Sequence, residues 1–272
     1  MFIAEIGINH NGDISLAKKL IQMAKKAGAD VVKFQKRDIE TCIPLSMRDI
    51  IKQTPWGEMT YIDYKKKLEF SKDDYCVIDV YCKEIGIKWA ASVWDINSLE
   101  FIYSFDVPFI KIPSACITDN ELLLEAKASK KPLIISTGMS SLDEIMKAVE
   151  LLSGCDLTIL HCNSSYPAED NELDLNVIRL YKKIFPQYRI GYSGHERNIY
   201  ACVIAKVIGA EVIERHITLD KNMWGTDQGA SLTEDELSTL IEALKNTQTW
   251  LGKSEVQVYD SEIKVRNKLR RI

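Results

Sequence analysis

All four histidines of this chain, His10, His161, His195 and His216, fall at or just beyond the ends of short apolar, β-branched runs. Two lysines, Lys33 and Lys111, sit inside such runs with apolar residues around them. Serines recur at the same kind of position, at Ser92, Ser114, Ser136, Ser164 and Ser193, together with Glu5, Gln35 and Glu214. Ammonium groups and hydroxyl donors gathered on one site suit a compact anion carrying phosphate and carboxylate groups. Two buried lysines without acceptors would be costly, so an anionic ligand accounts for the pair. Read singly, His10 and His161 are hydrogen-bonded core residues. His195 and His216 differ because they close the last two runs. Adjacent strands lie only about 4.8 Å apart, so the two imidazoles can share one divalent cation. Two nitrogens are too few for a structural zinc site, whereas an open site completed by water and substrate oxygens suits Mn²⁺, Mg²⁺ or Co²⁺.

These residues need a scaffold that brings strand ends together. Strand candidates are Phe2 to Ile8, Val31 to Gln35, Lys88 to Ser92, Phe109 to Ile112, Leu133 to Ser136, Leu157 to His161, Tyr188 to Ser193 and Val212 to His216. Amphipathic helical patterns separate them; the first carries Leu16, Leu20, Ile21 and Ala24 on one face and stops at Gly28. Ser71 with Asp74, Ser141 with Glu144 and Thr233 with Glu236 have capping-box spacing. Strand-then-helix units in this number predict a (β/α)8 TIM barrel, whose chemistry gathers at the C-terminal strand ends. No G-x-G-x-x-G turn follows the first strand, which speaks against a dinucleotide fold. One domain over residues 1–272 is expected, with a long loop at 36–71 after strand two as a candidate lid and a C-terminal tail at 252–272.

The 272 residues are 46% hydrophobic and 27% charged, with a formal net charge of -4. That profile excludes disorder, a membrane span and a nucleic-acid partner bound through clustered basic residues. Glu5 interrupts the first apolar run and no basic segment precedes it, so a cytoplasmic protein without a secretory signal is expected. Seven cysteines without a C-x-x-C pair read as scattered reduced thiols. The basic tail, with Lys264, Arg266, Lys268, Arg270 and Arg271, reads as a solvated helix end.

The runs IAEIGINHNGD, VVKFQ, FIKIPSA, KPLIISTGMS, LHCNSSYP, IGYSGHE and VIERHITLD, in this order, resemble the catalytic barrel of the sialic acid synthase family, which includes N-acetylneuraminate, legionaminate and pseudaminate synthases. The match runs along essentially the whole chain. The resemblance implies a metal-dependent condensation of phosphoenolpyruvate with a small open-chain aldose, giving a 2-keto-3-deoxy sugar acid and phosphate. It implies that His195 and His216 bind the metal, commonly Mn²⁺, and that Lys33, Ser92, Lys111, Ser114, Ser136, Ser164 and Ser193 contact phosphoenolpyruvate. Glu5, Gln35, Tyr166 and Asp227 match residues around the sugar and the metal, and a homodimer is implied as the assembly. Glu5 is the candidate to orient or deprotonate the attacking water, with Lys111 and Asp227 as further catalytic candidates.

Departures from the family pattern bear on substrate more than on reaction. Many members continue into an antifreeze-like domain, and KVRNKLRRI ends this chain where the linker to that domain would begin. Gly194 stands where many relatives have Asp, and Gln228 where many have His, so both are expected to alter the groups read on the sugar. Two competing readings share the inventory. One is another phosphoenolpyruvate-using or sugar-acid-cleaving barrel enzyme, and the other a non-catalytic sugar-acid-binding protein.

Overall fold

A computed structural model describes residues 1–271; Ile272, the last residue of the predicted tail, lies outside them. Among the described residues ten strands form: β1 (Phe2–Gly7), β2 (Val31–Lys36), β3 (Ile51–Thr54), β4 (Gly57–Thr60), β5 (Lys88–Val93), β6 (Ile110–Ile112), β7 (Leu133–Ser136), β8 (Leu157–Cys162), β9 (Arg189–Gly194) and β10 (Val212–His216). Eight of them close into a parallel barrel in the order β1-β10-β9-β8-β7-β6-β5-β2, with helices in the connections, so the chain is a (β/α)8 barrel. The expected strands agree with the observed ones to within a residue or two. Their signal is local: both faces of a barrel strand are covered, and apolar runs persist.

The first helix, Ile14–Ala27, shows how the outer layer is built. Asp13 accepts from the backbone N–H groups of Ser15 and Leu16, and Gly28 ends the helix at φ 90, in the left-handed region that glycine enters without penalty. Leu20, Ile21 and Ala24 are buried against the barrel, each large aliphatic contributing about 1.5–3 kcal/mol. The three predicted capping boxes at Ser71, Ser141 and Thr233 are present.

Two apolar layers follow from strand alternation. One lies between the sheet and the helices. The other fills the barrel interior with Ile3, Val31, Ala90, Phe109, Ile134, Leu160 and Val212, all buried. Gly191 is required there, since a Cβ would stand 2.5 Å from Leu160 Cδ2 and 2.4 Å from the Val212 carbonyl oxygen. This plug floors the site, which opens above it at the C-terminal strand ends.

The segment after β2 is not an irregular loop. It folds into two short helices (Ile39–Cys42 and Leu45–Arg48), the β3–β4 antiparallel hairpin and a helix at Tyr61–Leu68. Tyr64 and Leu68 bury against Ile8 just beyond the end of β1. The hairpin escaped sequence reading because its strands are short and mostly exposed, leaving no clear apolar alternation. The tail carries a helix at Asp260–Leu269 with every residue exposed. Among the described residues no helix is long and apolar enough to cross a membrane.

Candidate active site

Alternation aims Lys33 and Gln35, Ser193 and His195, and Glu214 and His216 inward in i, i+2 pairs. Parallel register then sets Glu5 opposite Lys33 and His216, Gln35 opposite Ser92, Ser92 opposite Lys111, and Glu214 opposite Ser193. A cavity of about 250 Å³ lies above the plug, and every site residue expected from the sequence lines it except Asp227. Asp227 stands one layer back, its Oδ2 4.0 Å from His216 Nδ1.

The lysines correct one expectation, because they are not without acceptors. Lys33 Nζ lies 2.5 Å from Glu5 Oε2 and 3.8 Å from Glu214 Oε2, and donates to Ser92 Oγ at 2.7 Å. The acceptors come from β1 and β10, remote in sequence, which is why the cost of burying Lys33 could not be judged from its own strand. Lys111 differs. It donates to Ser136 Oγ at 2.6 Å and to the Ile112 carbonyl at 3.2 Å, and no carboxylate lies within 4.0 Å of it among the described residues. Burial lowers the Lys111 pKa. Lys111 is thus the cation of the site best able to take an anion.

The carboxylates divide in character. Burial raises Glu5 to about 7 despite Lys33, with the charge of Glu214 adding to the rise. Burial would raise Glu214 too, but Lys111 and then Lys33 more than offset it and hold its pKa below the ordinary range. Ser193 Oγ donates to Glu214 Oε1 at 3.1 Å, and Gln35 Nε2 to Glu5 Oε1 at 3.2 Å. Glu214 lines the cavity; the sequence placed it at a strand end but gave it no role. Its signal was available, since it lies two residues before His216 and on the same face.

Gly138 shapes the wall beside Lys111. Its N–H donates to Ser114 Oγ at 3.0 Å, and a Cβ there would meet Ser164 Oγ at 2.1 Å and Ser114 Oγ at 2.9 Å. Gly138→Ala therefore pushes two serine hydroxyls aside. The expected result is a folded protein whose affinity for phosphoenolpyruvate in calorimetry falls at least about tenfold, the loss of one charge-assisted hydrogen bond. Unchanged affinity would remove these serines from the anion site.

His195 and His216 stand with ring centroids 5.5 Å apart, and the Tyr166 ring covers both, at 4.1 and 5.7 Å. His195 Nδ1 lies 2.6 Å from the Asn163 carbonyl oxygen, so that nitrogen carries a proton; burial opposes a charge on the ring, but the Cys162 thiol beside it and the Asn163 carbonyl more than offset this and raise the His195 pKa. Burial lowers the His216 pKa to about 3, and its buried Nδ1 has no hydrogen-bond partner among the described residues. Each imidazole keeps a nitrogen without a protein hydrogen bond among the described residues, which fits a divalent cation. Among the described residues no group of three or more His, Cys, Asp or Glu is arranged as a metal cage. Gly7, at φ 56, leaves room here: a Cβ would stand 3.0 Å from the His216 ring.

The other two histidines keep out of the cavity. His10 stacks on Phe70 with centroids 3.9 Å apart, and its Nδ1 accepts from the Gly12 N–H. His161 Nε2 lies 2.7 Å from the Leu173 carbonyl oxygen. Gly194 and Gln228, expected to alter sugar reading, also miss the cavity. A Cβ on Gly194 would stand 2.5 Å from Glu196 Oε2, and Gln228 spends its amide on Thr218, Trp224 and Asn9. All seven cysteines are free.

The sequence model of the NeuB family matches residues 20–256. The chain belongs to the NeuB family. It is 40% identical to human N-acetylneuraminate-9-phosphate synthase over 272 residues, covering 98% of this chain and 75% of that protein. It is 36% identical to the N,N'-diacetyllegionaminic acid synthase of Legionella pneumophila, covering 99% of this chain and 78% of that one. The crystal structure of a Leptospira borgpetersenii N-acetylneuraminic acid synthetase in complex with citrate superposes with a TM-score of 0.86 at 30% identity, covering 100% of this chain and 92% of that one. This NeuB-family chain is therefore an enzyme, a carbon–carbon bond-forming synthase of the sialic acid type.

Proposed function

We propose that this NeuB-family synthase condenses phosphoenolpyruvate with an open-chain aldose, N-acetylmannosamine or a related hexose or pentose, to give a nonulosonic-type 2-keto-3-deoxy sugar acid and phosphate. The observation that carries the proposal is Lys111, a buried cation with no carboxylate within 4.0 Å, beside the Ser114, Ser136 and Ser164 hydroxyls in the cavity that also holds the two imidazoles. Lys111 and these serines bind the phosphate, a positioning and electrostatic role without covalent catalysis. C3 of phosphoenolpyruvate forms the new bond to the aldehyde carbon, leaving C2 cationic. Water adds at C2, and the tetrahedral intermediate expels phosphate by C–O cleavage. Glu5, with a pKa raised to about 7, can orient that water and accept its proton, while the aldehyde oxygen takes one up. Lys33 holds Glu5 in place, and Gln35 and Tyr166 face the aldose. His195 and His216 would hold a divalent cation, Mn²⁺ by family resemblance with Mg²⁺ or Co²⁺ as alternatives, and when bound it supplies Lewis-acid polarisation of the aldehyde. Asp227 is placed to orient His216 from behind. Resemblance further supports one catalytic domain acting as a cytoplasmic homodimer.

The test is phosphate release from phosphoenolpyruvate with Mn²⁺, across N-acetylmannosamine, mannose, arabinose and their phosphates, with and without EDTA. Release on one sugar that EDTA abolishes is the expected result. Loss of phosphoenolpyruvate binding itself in calorimetry would sink the lysine and serine assignment.

A further inference from the structure

The alternation that turns Lys33 and Gln35 into the cavity assigns the next position on that side to Arg37, one residue beyond the end of β2. Arg37 itself does not line the cavity, whereas Gln35 and Trp94, both of which it touches, do. Its backbone is pinned on both sides. The Arg37 N–H donates to Glu69 Oε1 at 3.1 Å, and the Asp38 N–H to Asp95 Oδ2 at 2.8 Å. Glu69 Oε1 is also held by Lys36 at 2.7 Å, and Asp95 is buried and caps the helix Ile96–Tyr103. From this fixed root the guanidinium carbon lies 4.0 Å from the centroid of the Trp94 ring, within cation–π range, and one terminal nitrogen donates to Gln35 Oε1.

A guanidinium has donors and no acceptor, so it meets a glutamine amide only at the oxygen. Gln35 therefore turns Nε2 the other way, where it donates to Glu5 Oε1 at 3.2 Å. The reverse orientation would set N–H groups against N–H groups beside Arg37 and an amide oxygen against a carboxylate beside Glu5. The two orientations of a side-chain amide have nearly the same shape, so the hydrogen-bond partners choose between them. An arginine held over an aromatic ring is preorganised for that choice, because little freedom is lost when the bond forms. Lys33 engages Glu5 Oε2 at 2.5 Å, which leaves Gln35 as the partner that settles where Oε1 points.

We propose that Arg37 is a positioning residue for the condensation: it locks the Gln35 amide with its N–H groups toward Glu5 and the aldose, and through that lock fixes the direction of the carboxylate that orients the attacking water. The inference rests on the synthase reading above and adds to it a residue outside the cavity. Phosphoenolpyruvate is held by a different set of side chains, Lys111, Ser114, Ser136 and Ser164, so the two roles separate in kinetics.

The experiment compares the unaltered protein with Arg37→Met, Gln35→Met, the double variant and Arg37→Lys. Phosphate release with Mn²⁺ gives kcat and both KM values, and calorimetry in EDTA gives the affinity for phosphoenolpyruvate. Selective 15N labelling of glutamine reads hydrogen exchange at the Gln35 side-chain amide, assigned by its loss in Gln35→Met. Arg37→Met is expected to lower kcat/KM for the aldose about tenfold, the worth of one hydrogen bond to a charged group, with phosphoenolpyruvate affinity and Tm unchanged. Exchange at the Gln35 amide quickens in the same variant. The double variant loses no more than Gln35→Met alone, and Arg37→Lys, which keeps a donor, recovers most of the loss. Losses that multiply in the double variant, a fall in phosphoenolpyruvate affinity as large as the fall in kcat/KM, or full activity in Arg37→Met would overturn the lock. If no sugar is turned over, the synthase reading falls and the amide decides the lock by itself: faster exchange in Arg37→Met upholds it, and unchanged exchange overturns it.

Discussion

Lys111→Met is expected to lower kcat/KM for phosphoenolpyruvate by about 100- to 1000-fold, the cost of losing one charged donor that stabilises the reacting group. Stability should move by no more than about 1 kcal/mol, because among the described residues Lys111 hydrogen-bonds only to the Ser136 hydroxyl and the Ile112 carbonyl. Its loss also frees Glu214 to take up a proton, since Lys111 is the foremost influence opposing burial there. Lys33→Met should behave differently. It strips the nearest cation from Glu5 and Glu214, and a broken buried pair costs about 3–5 kcal/mol. Phosphate-release kinetics and thermal melts on both variants check the contrast. Equal loss of stability in the two, or full activity in Lys111→Met, would show that the lysines do not divide the work between substrate and fold.

A large effect on stability is also expected at Arg215, which alternation turns outward from β10, away from the cavity and into the layer beneath the helices. Both Arg215 and Glu196 are fully buried, and Arg215 NH1 donates to Glu196 Oε1 at 2.7 Å and to the Asn198 carbonyl at 2.8 Å. Tyr192 Oη donates to Glu196 Oε2 at 2.9 Å, so the carboxylate is held from two sides. Arg215→Leu leaves that carboxylate buried and unpaired. The predicted loss is about 3–5 kcal/mol, or on the order of 10 °C in Tm for a chain of this size. Adding Glu196→Leu should recover part of the loss, because removing both charges is cheaper than orphaning one. A double variant no more stable than Arg215→Leu alone would mean that the pair stabilises through its geometry and not by mutual compensation. Since Glu196 follows His195 and Arg215 precedes His216, the pair ties together the chain segments carrying the two imidazoles.

Much of this protein was determined by sequence alone. The barrel strands were readable because a strand covered on both faces is a continuous apolar run, and the helices because their apolar stripe and capping residues are local features. The cavity residues were readable because a parallel barrel collects strand ends, so Lys111, His195 and His216 could be placed together before any coordinate was known. Ser71 with Asp74 needed only four residues of context.

What tertiary structure decided concerns partners remote in the chain. Lys33 looked like a lysine without an acceptor until β1 and β10 brought Glu5 and Glu214 beside it. Gly194 and Gln228 looked like substrate readers until packing gave the space above Gly194 to Glu196 and the Gln228 amide to Thr218 and Trp224. The insertion had no readable periodicity because its order comes from Tyr64 and Leu68 docking on Ile8, a contact no local pattern encodes. Sequence therefore settled which residues face the site, since facing follows the strand period; only the closed barrel settled which charges neutralise one another, since that depends on distances between strands far apart in the chain.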